Sequence, residues 1–433
     1  MTTFISFIIV LGILIFIHEL GHFMVAKFSG VGVEKFSLGF GPKLIGIKRG
    51  ETEYRISLLP LGGYVKMVGE APGEEVSDID RKKSFTHKPV RYRAAIVAAG
   101  PVMNLLLAAI LLPVIFMIGV QVPSYLGNKA EVGFVVPDEP ASRAGIQSGD
   151  VIVGADNKPV KNWQELLEEM AERPKEPLKL KLARNDAVIE TTIVPEPTAE
   201  TGAGYGGMYP PMKPVIGDVS SGYPAKDAGI QPGDVILAVN DKMITHWAEL
   251  EDIIHKSGEK KTILIGRENQ TLTFEVTPKH NKDANIYLIG ISRKDEQVLR
   301  RYGFIEATAK GFTTSVEMTE RLLAVIKGLV LGKYSLKTLG GPIMIAQVAG
   351  KAAESGISDL LSLVAFLSLQ LGIINLFPIP VLDGGHILFF CIEAVNGKPL
   401  SEKFMAIAQQ IGIALLIALM VMVTYNDLFR IFG

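Results

Sequence analysis

The sequence predicts a polytopic α-helical membrane protein with four transmembrane helices, a membrane-associated β-sheet and two tandem α+β domains of one kind. Three observations lead to this fold class. The 433 residues are 48% hydrophobic with a mean hydropathy of +0.30, which is too apolar for an ordinary soluble protein. Four apolar stretches reach the roughly 20 residues that cross a bilayer. A repeated unit lies in the long polar segment between the second and the third stretch.

Charge and cysteine content limit the possible classes of protein. The formal net charge of −1 argues against a nucleic-acid-binding protein, because such proteins carry a basic face. The single cysteine, Cys391, cannot form an intramolecular disulfide, so any exported domain must fold without one. The first apolar run lacks a basic n-region and a small-residue cleavage site. We therefore expect it to be retained and not removed as a signal peptide.

The four predicted spans set the topology of the chain. They cover residues 4–26, 95–119, 358–377 with a broken continuation to 395, and 404–424. Lysine and arginine are concentrated between the first two spans, and the positive-inside rule places this loop in the cytoplasm. Both termini and residues 120–357 then lie on the outer side. The predicted N-terminal and C-terminal membrane parts are residues 1–128 and 358–433.

The first span contains an H-E-x-x-H sequence at residues 18–22. On a helix His18 and His22 are one turn apart on the same face, so both imidazoles can bind one divalent metal, with Glu19 beside them to carry a proton. The motif is short, and a structural histidine pair is the alternative. Ionisable groups inside an apolar span are costly and rare, which favours a functional site.

The loop between the first two spans predicts a small antiparallel sheet close to the membrane, over residues 31–70. Polar and apolar residues alternate in Lys43–Lys48 and Tyr54–Leu58, and Gly62–Gly63 supplies a turn before Tyr64–Val68. One interpretation is a surface hairpin that joins two helices. The other is an edge strand that pairs with an extended substrate through backbone hydrogen bonds.

The outer segment contains an internal repeat. The stretch Ala144–Ile152 recurs as Ala228–Ile236, an offset of 84 residues, and Trp163 recurs as Trp247. The units resemble PDZ domains, at residues 129–200 and 213–295, with a linker at 201–212. PDZ-like domains bind peptides at a sheet edge, although spacers or size filters are the alternative. Residues 296–357 predict an amphipathic helical segment, at the membrane surface or packed on the spans, with a helical surface of an outer domain as the alternative.

The third span is interrupted by Pro378 and Pro380 and by a Gly-Gly pair, all of which disfavour a continuous helix. Non-helical backbone at membrane depth is tolerated where it lines protein or a water-filled cavity. Asp383 lies in this break and could complete a His-His-Asp metal site, since its charge offsets that of the ion. The alternative is a helix kink with Asp383 as a cap. His386 is a weaker candidate for the third ligand.

These motifs together resemble the site-2 protease family of intramembrane metalloproteases, in particular its four-span bacterial RseP type. The likeness covers essentially the whole chain and includes H-E-L-G-H, N-x-x-P-x-P-x-L-D-G and the PDZ pair. It implies a Zn²⁺ ion bound by His18, His22 and Asp383, with Glu19 as the catalytic acid/base. It also implies that Asn375 positions the substrate, although an amide that only satisfies the helix break is the alternative. We further expect Pro378 and Pro380 to position the substrate, and His386 and Asn104 to support the ligands from behind.

The resemblance also implies substrates and a location. The expected substrates are single-pass membrane proteins in the lipid bilayer, such as an anti-sigma-factor-like regulator already cut by a first protease, and remnants of signal peptides. The expected location is the bacterial inner membrane, with periplasmic PDZ-like domains and a site toward the cytoplasm. A non-enzymatic membrane scaffold with a structural metal and a metal transporter are the alternatives. A transporter would not explain Glu19 or the PDZ pair.

Overall fold

The computed structural model describes residues 2–70, 80–185, 187–198, 202–281, 285–332 and 339–432. The chain divides into two compact units. The helical unit combines Met1–Val120 with Arg300–Gly433, and the repeat unit is Gln121–Leu299.

The helices of the described residues are, in chain order, α1 (Thr2–Phe28), α2 (Val90–Ile118), α3 (Pro140–Arg143), α4 (Trp163–Ala171), α5 (Pro224–Asp227), α6 (Trp247–His255), α7 (Phe304–Val330), α8 (Pro342–Ser355), α9 (Ile357–Asn375), α10 (Asp383–Asn396) and α11 (Glu402–Phe432). The strands are β1 (Val33–Arg49), β2 (Thr52–Met67), β3 (Val120–Pro123), β4 (Ala130–Glu131), β5 (Phe134–Val135), β6 (Val151–Ala155), β7 (Lys158–Pro159), β8 (Leu178–Arg184), β9 (Ala187–Ile193), β10 (Glu196–Pro197), β11 (Gly204–Tyr205), β12 (Met208–Tyr209), β13 (Ile216–Val219), β14 (Val235–Val239), β15 (Lys242–Met243), β16 (Lys261–Arg267), β17 (Gln270–Val276), β18 (Lys279–Asn281), β19 (Ile286–Leu288), β20 (Ile291–Arg293) and β21 (Gln297–Arg300).

Four helices of the helical unit, α1, α2, α9 and α11, are long and apolar enough to cross a membrane. Their large apolar side chains remain widely exposed, as lipid-facing residues are. Packed side chains of α1, α8 and α9, including Val10, Ala349 and Val364, form a buried cluster. The third apolar stretch forms two helices, because α9 ends at Asn375 and α10 begins at Asp383.

The predicted sheet between the first two spans is formed by β1 and β2. Residues 33–38 pair with residues 53–56 and also with residues 63–67, and residues 43–49 pair with residues 52–57. The long strands therefore bend, and Gly39 and Gly62 have positive φ angles of 88° and 142° where they do so. Within this pairing the segment Gly63–Met67 has strand partners on one side only, so it is an edge.

The repeat unit consists of two modules that share the order helix, two strands, helix, two strands, in α3–β9 and again in α5–β17. In the first, an ion pair joins Asp150 to Arg184; in the second, Asp234 pairs with Arg267 in the same way. The aligned Trp163 and Trp247 each begin a helix and lie in the core of their module. The repeat seen in the sequence is therefore a repeat of structure.

The repeat extends further than the sequence predicts, which corrects the linker over residues 201–212. Strands β11 and β12 occupy residues 204–209, and β12 pairs with β5 of the first module. Met208 on β12 is buried in the core of that module. Strand β20 pairs with β13 in the equivalent place of the second module. The Gly-rich and Pro-rich composition suggested a connection, but backbone pairing and one apolar anchor make these residues part of the fold.

Residues 296–357 contain several elements and not one amphipathic segment. Strand β21 is followed by α7, which packs on α2, with Ala307 fully buried and Gly311 against Pro113. A separate helix, α8, begins at Pro342, where proline is favoured. Of the predicted placements, the structure therefore has the one in which the helix packs on a span, since α7 lies against α2. Residues 333–338 of this segment lie outside the described residues.

Candidate metal centre

The two histidines of α1 face α2 at a very close helix crossing. A Cβ atom at Gly21 would lie 2.3 Å from the carbonyl oxygen of Ala99, and a Cβ atom at Gly100 would lie 2.3 Å from Nε2 of His22 and 2.8 Å from Nε2 of His18. Only glycine fits at such separations. The two glycines thus create the space in which both imidazoles face the same point.

Asp383 reaches this point from the break in the third span. The connection from Leu376 to Leu382 folds tightly, since a Cβ atom at Gly384 would lie 2.3 Å from the carbonyl oxygen of Leu376. Asp383 is the first residue of α10, and its Oδ2 lies 3.1 Å from Nε2 of His18 and 3.7 Å from Nε2 of His22. The carboxylate therefore faces the histidines, which favours the ligand over the simple helix cap.

The three side chains present a donor set that fits zinc. Nδ1 of His22 lies 2.8 Å from the carbonyl oxygen of Ile96. Because a carbonyl oxygen only accepts hydrogen bonds, Nδ1 carries the proton, and Nε2 of the neutral ring has a free lone pair. The Nε2 atoms of His18 and His22 are 3.2 Å apart. Tetrahedral zinc with ligand bonds of about 2.0–2.2 Å separates its ligand atoms by about 3.4 Å. Three electron pairs at this spacing repel one another unless a cation lies between them.

Two nitrogens and one oxygen leave the fourth position of a tetrahedral ion open, as catalytic zinc requires. Among the described residues, His18, His22 and Asp383 are the group whose donor atoms converge within 4.8 Å. His386 is half-buried and contacts Phe389, with ring centroids 6.2 Å apart. It is not a member of this group, so three side chains converge at this point.

Glu19 lies beside the histidines and against the edge segment of β2. A Cβ atom at Gly63 would be 3.0 Å from Cγ of Glu19, and the backbone N–H of Val65 donates to the Glu19 carboxylate. The carboxylate is thus held between the metal-binding group and the sheet edge. A base in this place can serve a substrate that lies along the edge.

The remaining residues singled out from the sequence are placed differently. Asn104 is fully buried, and its amide nitrogen lies 3.1 Å from Nδ1 of His18. Asn375 is half-buried at the end of α9, and none of the described residues forms a hydrogen bond with its side chain. Pro378 and Pro380 lie in the connection between α9 and α10, where neither can donate a backbone hydrogen bond. Asn104 alone of these four directly contacts a metal-binding side chain.

Several contacts that build the site could not be predicted from the sequence. Nothing in the sequence indicates that the carbonyl group of Ile96 would bind His22 or that Gly100 would make room for the imidazoles. Gly100 and Asn104 are, however, four residues apart and therefore share a helix face. An ion pair between Arg93 of α2 and Glu393 of α10, 2.5 Å long and nearly buried, fixes the far end of the helix that begins with Asp383. Helix-face spacing could have suggested Gly100, but not the ion pair.

Comparisons with known proteins show which family the chain resembles. The chain matches the model of peptidase family M50 over residues 6–419. It is 37% identical to a protein of Neisseria meningitidis serogroup A named as a zinc metalloprotease, with both chains covered completely. It is 35% identical to the regulator of sigma-E protease RseP of Escherichia coli and 34% identical to that of Salmonella typhimurium, over 98% of each chain. A solved PDZ domain of an SdrC-like protein from Listeria monocytogenes matches 20% of this chain and 90% of its own, with 18% identity and a TM-score of 0.18.

Proposed function

The chain belongs to peptidase family M50 and is a zinc metalloprotease of the membrane, and we propose that it cleaves single-pass membrane proteins within or near the bilayer. The observation that carries this proposal is the convergence of His18, His22 and Asp383, with Glu19 beside them. Both histidines and Glu19 lie on α1, which can span a membrane, and Asp383 begins α10 shortly after α9, another helix of that kind. Ionisable side chains within a membrane span are costly and mark functional sites.

In this proposal each polar side chain has one task. His18, His22 and Asp383 hold the zinc, which when bound acts as a Lewis acid toward a carbonyl and makes water a stronger acid. Glu19 takes a proton from the attacking water and returns it to the nitrogen of the leaving amine. Before the substrate binds, the Val65 N–H holds the Glu19 carboxylate in place.

The substrate would bind as an added strand along Gly63–Met67. Support comes from the pairing of this segment on one side only and from its contact with Glu19. The substrate strand would take over the N–H groups of Val65 and Met67, which donate to the carboxylates of Glu19 and Glu70 in its absence. Strand addition holds a peptide extended through backbone hydrogen bonds, and a transmembrane helix must unwind before its peptide bonds can be cut. Asn375, Pro378 and Pro380 would contact the substrate from the opposite side, where the chain between α9 and α10 is not helical.

Biological substrates and orientation follow from the relatives and from the charge distribution. Two relatives are named regulators of sigma-E protease, which supports an anti-sigma-factor-like substrate that a first protease has already shortened. Remnants of signal peptides form the second proposed class. The lysine-rich and arginine-rich loop after α1 would face the cytoplasm of a bacterial inner membrane, and the repeat unit, as two PDZ-like domains, the periplasm.

The decisive experiment separates metal binding from catalysis. We expect Glu19→Gln to retain one zinc per chain and to lose cleavage by at least about 10²-fold, because a positioned base contributes that much. Asp383→Ala should lose zinc and activity together. Metal content and cleavage of a membrane-anchored reporter would be measured on the same purified preparations.

Two results would contradict these assignments. A full complement of zinc in Asp383→Ala would remove Asp383 from the ligands. Wild-type activity in Glu19→Gln would remove Glu19 from proton transfer. Cys391→Ser serves as the control for handling, because Cys391 is exposed and belongs to no part of the site.

A further inference from the structure

Asn104 occupies a fully buried position between three helices. It lies on α2, its side-chain amide faces Nδ1 of His18 on α1 at 3.1 Å, and its backbone carbonyl accepts a hydrogen bond of 2.8 Å from the hydroxyl of Ser368 on α9. A polar side chain in such a place is costly unless it has a specific partner. Here the partner is an imidazole that faces the metal-binding point.

The imidazole of His18 can bind a metal in one tautomer only. Its Nε2 faces Asp383 and His22, so Nε2 must carry a free electron pair and Nδ1 must carry the proton. The Nδ1–H group can then only donate. His22 meets the same requirement with the carbonyl oxygen of Ile96 as its acceptor. The corresponding place beside His18 is taken by Asn104, which must therefore provide an acceptor.

The side-chain amide of Asn104 can face His18 in two ways that differ by a half-turn. With the nitrogen toward His18, two N–H groups would oppose each other, and Oδ1 is buried with no hydrogen-bond partner among the described residues. With Oδ1 toward His18, the oxygen gains the Nδ1–H as its donor. In this second orientation the amide nitrogen, not Oδ1, is the atom without a partner on the side away from His18. Burying either atom unpartnered costs a similar free energy. The contact with His18 therefore decides the orientation.

We propose that Asn104 is a positioning residue whose Oδ1 accepts the hydrogen bond from Nδ1–H of His18 and so directs the free electron pair of Nε2 to the metal. The inference rests on the proposed function, since it assumes that His18 binds zinc. It assigns Asn104 no contact with substrate. Acceptors behind histidine ligands raise ligand basicity and fix the ring, and their loss weakens metal binding by about 10–100-fold.

Two substitutions of similar size test the inference. Asn104→Asp keeps an acceptor toward His18 and removes every donor, whereas Asn104→Leu removes both. Zinc affinity of the full chain in detergent micelles would be measured by competition with a chromophoric chelator, with the absorption spectrum of the Co²⁺-loaded protein as a second readout. We expect Asn104→Leu to weaken zinc binding by about 10–100-fold and Asn104→Asp to stay within about fivefold of wild type. Ser368→Ala, which loses only the contact to the Asn104 backbone, should also stay near wild type.

The outcomes separate this inference from the proposed function. If wild type binds zinc and Asn104→Asp loses affinity as much as Asn104→Leu, the amide acts as a donor or as packing, and the inference is wrong. Unchanged affinity in Asn104→Leu would also reject it. If Asn104→Leu does not fold, the comparison of Asn104→Asp with wild type still decides, because a donating amide could not be replaced by a carboxylate. Absence of zinc binding by wild type would instead reject the proposed function.

Discussion

Gly100 shows how a single missing side chain can determine whether the metal site exists. Its α-carbon lies where a Cβ atom would come within 3.0 Å of both imidazoles, closer than real side chains approach one another. We expect Gly100→Ala to force α1 and α2 apart and to reduce zinc affinity by ~10-fold or more, in the range of lost ligand support. The measurement is zinc affinity by chelator competition on the purified full chain.

Gly12→Ala is the matched control for this substitution. Gly12 lies on α1, one of the two helices involved, but no atom lies within 4 Å of a Cβ atom placed there. Its zinc affinity should equal that of wild type. Equal affinity in Gly100→Ala and Gly12→Ala would show that the helix crossing tolerates a methyl group and that the close approach is not required.

At the level of residues, the sequence predicted those whose chemistry is specific. His18, Glu19 and His22 follow from a motif with helical spacing, and Asp383 follows from a charge next to two prolines and two glycines in an apolar span. Gly100 could not be found in this way, because its role depends on a contact with a helix about 80 residues earlier. The carbonyl of Ile96 has no side-chain signature at all.

At the scale of elements, a buried ion pair stabilises each module of the repeat unit. Asp150 is 1% exposed and receives two hydrogen bonds of 2.6 Å from Arg184. Burial by itself would raise the pKa of Asp150, but the hydrogen bonds from Arg184 and from the Gln147 N–H outweigh it and hold the pKa below its usual value. Asp234 and Arg267 repeat this arrangement.

A lowered pKa makes the stability of the module depend on pH in a defined direction. The stabilisation that the charge of Asp150 contributes is fully present above about pH 3.9, the pKa of an aspartate in an unfolded chain. It is lost as the pH falls through the lower pKa that Asp150 has in the folded module. We expect Arg184→Met to destabilise the module at pH 7 by about 1–3 kcal/mol, because it leaves a buried charge unpaired. The difference from wild type should shrink below about pH 3.9, where Asp150 is protonated in the unfolded chain.

The two tryptophans provide the measurement for this prediction. Trp163 lies in the core of the first module and Trp247 in the second, and the chain has no others. In a Trp247→Phe background, Trp163 fluorescence during thermal unfolding reports on the first module. Lys181→Met on the same strand, which breaks an exposed pair with Glu190, should change the midpoint little. A midpoint difference that persists unchanged at pH 3 would contradict the role of the Asp150 charge.

The sequence predicts the bounds of a helix or strand well where its apolar and polar residues recur with the period of that element. It predicts them less well elsewhere. The apolar runs gave α1, α2, α9 and α11, and alternation gave much of β1 and β2. The sequence predicts a linker where β11 and β12 lie. Such two-residue strands could not be predicted, because they form by pairing with distant partners such as Phe134–Val135 and leave no mark in their own composition.

At the scale of the whole molecule, the repeat unit is inserted into the helical unit at one place. The chain enters it through β3 and leaves it through β21, which are neighbours in one sheet. The backbone N–H of Ser124 also donates to the carbonyl oxygen of Glu296 at 2.8 Å. Insertion between adjacent chain ends means that residues 124–296 can be replaced by a short Gly/Ser linker without stretching the helical unit.

This replacement tests whether the repeat unit excludes substrates that still carry a large outer domain. If it does, the variant should bind zinc as wild type does, cleave a shortened membrane substrate at the wild-type rate, and cleave the intact substrate several-fold faster than wild type. Both substrates and the zinc content would be measured side by side in detergent micelles, with Glu19→Gln in the same shortened chain as the control for contaminating proteases. An intact substrate cut no faster than by wild type would reject the filter. A loss of cleavage of both substrates with zinc retained would indicate that the repeat unit delivers substrate, as peptide binding at a sheet edge would.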